Sequence, residues 1–188
     1  MINRFILIGM FGLISLGSYS QSGVVASVGL SMAFSDNPLV NKPNELMSGM
    51  HASLTGRLGT NNLFLRPGIE VHKVKLLSQE MLDPFSNLPA AYFLKIPLQL
   101  GYKLINTDAF KFRLMAGGQF TYTAFIEDNE LGLDHNSIND VSFGALIGAG
   151  LDFGPLAIDV NFEKGLTELY HDTNYKTDYI VVSLGFFF

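Results

Sequence analysis

Hydrophobic and polar residues alternate one by one along most of this chain. From Val141 the odd positions read Val141, Phe143, Ala145, Ile147, Ala149, Leu151 and Phe153. The positions between them read Ser142, Gly144, Leu146, Gly148, Gly150 and Asp152. Side chains on a strand point to opposite faces in turn, so a period of two predicts a strand with one apolar face. The run is also much longer than the usual globular strand of about 5–6 residues.

Four further segments repeat the split. One face carries Tyr92, Leu94, Ile96, Leu98, Leu100, Tyr102 and Leu104, and the other Phe93, Lys95, Pro97, Gln99, Gly101 and Lys103. The next sets Phe112, Leu114, Ala116, Gly118, Phe120, Tyr122, Ala124 and Ile126 against Lys111, Arg113, Met115, Gly117, Gln119, Thr121, Thr123 and Phe125. Leu156, Ile158, Val160 and Phe162 oppose Ala157, Asp159, Asn161 and Glu163, and the last segment carries Ile180, Val182, Leu184, Phe186 and Phe188. No charge falls on the apolar face of any of these segments.

The pattern predicts strands over 22–34, 47–59, 62–74, 91–104, 109–126, 140–153, 155–165 and 177–188. Their connectors alternate in length: 35–46, 75–90, 127–139 and 166–176 are long and polar, whereas Thr60-Asn61, Ile105–Asp108 and Gly154 are tight turns. A soluble sandwich has no reason to place every long loop at one end. A transmembrane barrel does, with short periplasmic turns, longer extracellular loops and an even strand number. Closure follows as well, because an open sheet edge in hydrocarbon leaves unpaired N–H and C=O groups. With the N-terminus periplasmic, Tyr102, Phe112, Phe153, Phe186 and Phe188 fall near one membrane interface and Tyr92, Tyr122, Phe143 and Phe162 near the other, as two aromatic girdles.

Composition narrows the class further. The 188 residues are 48% hydrophobic and only 15% charged, against roughly 25% charged in soluble domains. That excludes a disordered chain, and the absence of cysteine excludes a disulfide-stapled scaffold. A net charge of −5 without a basic stripe argues against nucleic acid as a partner. No apolar run long enough for a spanning helix occurs beyond the N-terminus. There, Arg4 precedes the apolar stretch Phe5 to Leu16 and the small and polar residues Ser18-Tyr19-Ser20, the layout of a Sec signal peptide over residues 1–20 cleaved before Gln21. Residues 21–188 then form the barrel domain.

Several segments resemble one family of small outer-membrane barrels, the PorT-like proteins common in Bacteroidetes. They are Tyr92-Phe93-Leu94-Lys95-Ile96-Pro97-Leu98, Ala116-Gly117-Gly118, Gly148-Ala149-Gly150-Leu151-Asp152, Glu163-Lys164-Gly165-Leu166-Thr167 and the terminal Leu184-Gly185-Phe186-Phe187-Phe188. The resemblance covers nearly all of the chain after the signal peptide. It implies an eight-stranded barrel in a Gram-negative outer membrane and is nearly silent about activity. The alternation Ile180, Val182, Leu184, Phe186, Phe188 also resembles the C-terminal signal read by the barrel-assembly machinery.

The fold expected is therefore all-β: an eight-stranded antiparallel up-and-down transmembrane β-barrel. A barrel of that size has an interior just wide enough to be filled by side chains. Its inward face offers Arg57, Arg66, Lys95, Lys103, Lys111 and Arg113 against Glu70, Asp152, Asp159 and Glu163, with His51, His72, Gln99, Gln119 and Asn161 as hydrogen-bonding groups. Buried charges must pair or lose their charge, so an internal ion-pair network is expected, densest toward the periplasmic half. It is read as a polar plug in preference to an ion pathway.

Other candidate chemistry is weaker. Asp134-His135 and His171-Asp172 lie in long loops, and a carboxylate can orient a His toward water. Neighbours on one loop seldom face each other, however, so no catalytic residues are assigned. The acidic stretch Glu127-Asp128-Asn129-Glu130 with Asp134 lacks the spacing of a calcium loop. His51 and His72 are read as network histidines and not as metal ligands. The glycines of residues 144–150 sit inside one alternating strand, whereas a phosphate loop needs a strand-to-helix junction.

The expected function is a non-enzymatic, monomeric outer-membrane barrel with a structural or interaction role through its surface loops, and with no metal or cofactor. An accessory part of an envelope secretion or transport complex is the alternative, and a hydrolase or acyltransferase at the loop rim a more distant one. Outer-membrane lipid, the barrel-assembly machinery and an envelope protein are the partners this implies.

Overall fold

A computed structural model describes residues 23–35, 46–60, 62–78, 83–129, 137–168 and 176–188. The expected signal peptide, Glu130 and the dipeptides Asp134-His135 and His171-Asp172 lie outside the described residues. The chain forms eight strands: β1 (Gly23–Ser35), β2 (Met47–Thr60), β3 (Leu63–Lys75), β4 (Ala90–Asn106), β5 (Lys111–Ile126), β6 (Val141–Phe153), β7 (Leu156–Gly165) and β8 (Thr177–Phe187). Each pairs antiparallel with its sequence neighbours, and β1 closes on β8, with Val25 opposite Phe187 and Ser35 opposite Thr177. The result is the expected up-and-down barrel, and the strand limits agree with the sequence pattern to within two residues. Among the described residues no helix is long and apolar enough to cross a membrane.

The pleat carries the alternation into three dimensions. Leu98, Leu100 and Tyr102 on β4, Leu114 on β5, Ile147 on β6, Val160 on β7 and Leu184 on β8 are all exposed on the outer wall. Their strand neighbours Gln99, Arg113, Asp159 and Ser183 are buried in the lumen. A one-residue slip would reverse both faces, so the pattern pins the register of every strand.

One inward assignment fails. Phe125 is 56% exposed and lies on the outer wall beside Tyr92, with ring centroids 5.8 Å apart. Tyr92 pairs with Phe125 but Phe93 pairs with Thr123, so the register shifts there and Ala124 is the extra residue of a bulge. The bulge inverts the facing of the end of β5, which a strict period of two extrapolates wrongly. A second shift, between Lys103 and Ile105, leaves Leu104 and Ile105 both exposed.

The tight periplasmic turn between β6 and β7 is Gly154-Pro155. Gly154 has φ +56°, a left-handed value that costs an L side chain about 1–2 kcal/mol. A positive φ at the first central position, followed by the negative φ that proline imposes, is the arrangement of a type II′ hairpin.

The lumen also holds something the alternation did not indicate. Its outer end is filled by an apolar cluster of Ala33, Met47, Val74, Leu76, Ala91, Phe93, Tyr179 and Val181, into which Ile138 inserts from the connector after β5 and is only 1% exposed. Phe93 and Tyr179 sit on inward positions of strands that also carry polar residues inward, among them Lys95, Gln99 and Ser183. Their shared height in the barrel, which depends on strand stagger, brings them together.

Candidate functional site

The charged lumen lies below this apolar stopper. Because β2 and β6, and likewise β3 and β7, stand on opposite walls of an eight-stranded ring, ion pairs between them cross the interior. Arg57 Nη1 donates to Asp152 Oδ2 at 2.8 Å, and Arg66 Nη2 donates to Asp159 Oδ2 at 3.0 Å. Arg113, fully buried on β5, joins the two struts. It donates to Asp152 through Nε at 2.9 Å and Nη2 at 2.6 Å, and its Nη1 stands 3.0 Å from Asp159 Oδ1. The bidentate contact with Asp152 is the strong, geometrically specific form of an arginine–carboxylate pair. Gly150, directly opposite Arg113 on β6, makes the approach feasible: a Cβ there would lie 2.7 Å from the Arg113 guanidinium carbon.

A second group sits further toward the outer end. Lys95 Nζ donates to Glu163 Oε2 at 2.5 Å, Gln119 Nε2 donates to the same oxygen at 2.8 Å, and Lys95 also lies 3.7 Å from the centre of the Tyr179 ring. Arg66 reaches Gln99 Oε1 at 3.0 Å, and Gln99 Nε2 donates to Asn161 Oδ1 at 3.0 Å, so amides extend the arginine–aspartate network up the lumen. Glu70 bonds His72 Nε2 at 2.8 Å, and His51 bonds Ser183 Oγ at 3.0 Å. The two imidazoles are stacked with centroids 4.8 Å apart. Ring-nitrogen lone pairs lie in the ring planes, so stacked rings do not converge on one metal ion. Among the described residues no cluster of three or more potential metal ligands occurs.

The structure thus places Arg57, Arg66, Arg113, Asp152 and Asp159 in one network, Lys95 with Glu163 in a second buried group, and Glu70 with His72. Lys103 is buried close to the periplasmic end, directly opposite Arg113. Lys111, opposite Asp152, is half-buried at the periplasmic mouth and stands at the edge of this interior. Ile180, Val182, Leu184, Phe186 and Phe188 line the outer wall of β8 and its end, where Phe186 and Phe188 rings meet at 5.2 Å.

At the outer rim, Glu127 forms a clasp that sequence reading treated only as part of an acidic loop. Its carboxylate accepts from Lys73 Nζ at 3.1 Å, Tyr92 Oη at 2.9 Å and the Ala90 amide at 2.9 Å. Partial burial pushes the Glu127 carboxyl up, but the hydrogen bonds from Tyr92, Lys73 and the Ala90 amide outweigh it and hold the group below its ordinary value of 4.5. A carboxyl depressed on folding contributes stability that is complete above its unfolded value and lost as pH falls through the folded one. Glu127→Gln is expected to cost about 0.5–1 kcal/mol, a rim-pair magnitude. Its measurable result is faster proteolysis after residue 127 at pH 7, a difference from wild type that closes in acid below the Glu127 value.

A closed antiparallel barrel with an apolar outer wall and a charged, filled interior is an integral membrane protein of the small-barrel class. The chain belongs to the outer membrane protein β-barrel domain family, whose family model matches residues 17–171, and its location is the outer membrane. Among solved structures it is similar to Neisserial surface protein A, at 15% identity and TM-score 0.58 over 90% of this chain and 98% of that one. It is likewise similar to OprG from Pseudomonas aeruginosa, at 13% identity and TM-score 0.53 over 92% and 98%, and to the outer membrane enzyme PagL, at 13% and 0.52 over 85% and 98%. Identities of this size show the shared fold alone. No curated protein matches the sequence.

Proposed function

We propose that the protein is a non-enzymatic, non-conducting and monomeric outer-membrane barrel whose role, structural or interactive, is carried by the long connectors at its outer end. The observation that carries this reading is the closed interior: Ile138 seated in an apolar stopper, with ion pairs from wall to wall beneath it. Neither layer offers the wide aqueous path of a porin. The N-terminal charge, apolar core and small residues support Sec export and cleavage after Ser20. The strand motifs from Tyr92 to Leu98 and around Gly150 support a place in the PorT-like branch of the family.

Outer-membrane lipid is the partner the exposed apolar wall requires, and the alternation ending at Phe188 suits the barrel-assembly machinery. The likeness to an enzyme such as PagL extends to the fold and brings no activity with it. Purified protein in planar bilayers is expected to give no steady current of porin size, and a persistent open-channel conductance would overturn the filled-lumen reading. Lipase and protease assays on the same preparation are expected to be inactive, and turnover there overturns the non-enzymatic part.

A further inference from the structure

The outer wall is not evenly filled. β4 and β7 turn large apolar side chains outward, among them Leu100 and Tyr102 on the first and Val160 and Phe162 on the second. Between them, β5 and β6 present Ala116 and Gly118, and Ala145 and Ala149, at outward positions. Cross-strand pairing sets Gly118 opposite Ala145 and Ala149 opposite Leu114, so the small residues gather in one area. The wall is hollowed there into a groove of about 600 Å³. Leu100 and Tyr102 flank it on the β4 side, Val160 and Phe162 on the β7 side, and Ala116 and Ala149 lie on its floor. From the lumen, the Phe64 ring covers Gly101 and the Asn161 side chain covers Gly148, each so closely that a Cβ on the glycine would collide with it. The groove therefore opens toward the membrane.

Its course fits one leaflet. The groove begins at Leu63, the first residue of β3 beside a periplasmic turn, and reaches Ile147 at the centre of β6. It climbs through the inner half of the hydrocarbon core, about 15 Å deep. Tyr102, 48% exposed at the lower end, puts its hydroxyl at headgroup level. Water does not fill an apolar groove at this depth, and an unfilled one forfeits dispersion contacts along its whole lining. A second copy of the chain fits poorly. An isologous contact sets the same patch against itself, and two concave patches enclose a larger void. The lipid already surrounding the wall supplies a slender apolar chain of the right direction, and the groove meets that chain on its floor and both flanks where a convex wall meets it on one side.

We propose that this groove on β4–β7 is a binding site for one acyl chain of an inner-leaflet phospholipid, seated on Ala116 and Ala149 between Tyr102 and Phe162. The site rests on the reading that the apolar wall faces lipid, and it adds a held, stoichiometric lipid to the mobile ones around it.

Native mass spectrometry of the purified protein, refolded lipid-free in maltoside micelles and titrated with dioleoylphosphatidylethanolamine, tests it. Wild type is expected to retain one phospholipid per barrel, saturably. The double variant Ala116→Leu/Ala149→Leu fills the floor and is expected to weaken retention about tenfold or more. Ala52→Leu, an equal enlargement at an exposed position on β2 outside the groove, is expected to leave retention unchanged. Heat-modifiable migration on a gel verifies folding, and Ala116→Leu alone serves if the double variant does not fold. Absence of saturable retention overturns the proposal, as does equal retention by wild type and the groove variants. A lipid-free dimer that the groove variants lose would overturn it in favour of a second copy. The depth contrast between Ile147→Arg and Phe153→Arg separates the two readings: its loss removes the lipid-facing wall itself, whereas failed retention with the contrast intact removes only the groove site.

Discussion

Replacing Asp152 by asparagine is expected to destabilise the barrel by about 3–5 kcal/mol, the range for breaking a buried ion pair by removing one partner. Asp152 is the carboxylate on which two arginines converge, Arg57 from the opposite wall and Arg113 from the neighbouring strand. Neutralising it leaves two guanidinium groups in an interior already rich in positive charge. The reciprocal change, Arg113→Met, removes one cation from a chain of three arginines and two aspartates. It leaves Arg57 with Asp152 and Arg66 with Asp159 as one-to-one pairs. Its cost is expected to be smaller, about 1–3 kcal/mol, despite the larger side chain lost. Guanidinium unfolding in lipid vesicles measures both, and the double variant should recover part of the Asp152→Asn loss because it removes the repulsion. If Arg113→Met costs as much as Asp152→Asn, the excess of positive charge is not the governing term.

The difference between what the chain declares locally and what only the folded barrel decides is visible in these residues. That Arg57, Arg113, Asp152 and Asp159 face inward follows from parity alone, since each stands between apolar neighbours on a strand of period two. That Arg57 meets Asp152, 95 positions away, follows from strand stagger and barrel closure. No local pattern carries that information. Phe125 shows the converse limit. Its parity says lumen, the bulge at Ala124 puts it outside, and nothing in an alternation of Tyr, Thr, Ala and Phe marks where the extra residue falls.

Ile138 was hidden for another reason. It belongs to a connector, and connectors have no period from which burial can be inferred. Its connector also contains Leu131 and Leu133, so the sequence did not single it out, and Phe93 and Tyr179 belong to strands distant from it along the chain. Glu127 was similarly legible as an acid but not as a clasp, because Lys73, Tyr92 and Ala90 come from two other strands. The strand pattern therefore determines the wall, while the contents of the lumen depend on heights that the wall's geometry sets.

The outer wall supports an equally large prediction, because it tests the solvent against which the whole alternation is built. Ile147 is the central residue of the 13-residue strand β6, is 60% exposed, and lies opposite Ala116 on β5 and Phe162 on β7. Strand rise and a barrel tilt near 40° put it about 15 Å along the membrane normal from either strand end, close to the hydrocarbon midplane. Ile147→Arg is expected to cost about 2–4 kcal/mol in a bilayer, whereas Phe153→Arg, at the periplasmic end of the same strand, should cost about 0–1 kcal/mol from the charge. In water both positions would be exposed surface and the charge would be nearly free at each. Equilibrium unfolding from phospholipid vesicles reads the contrast directly. Equal costs at Ile147 and Phe153 would mean that depth along β6 does not set the price of a charge and that the apolar face is not turned to hydrocarbon. A graded cost along β6 assigns the apolar half of every strand to lipid, and with it the charged half to the lumen.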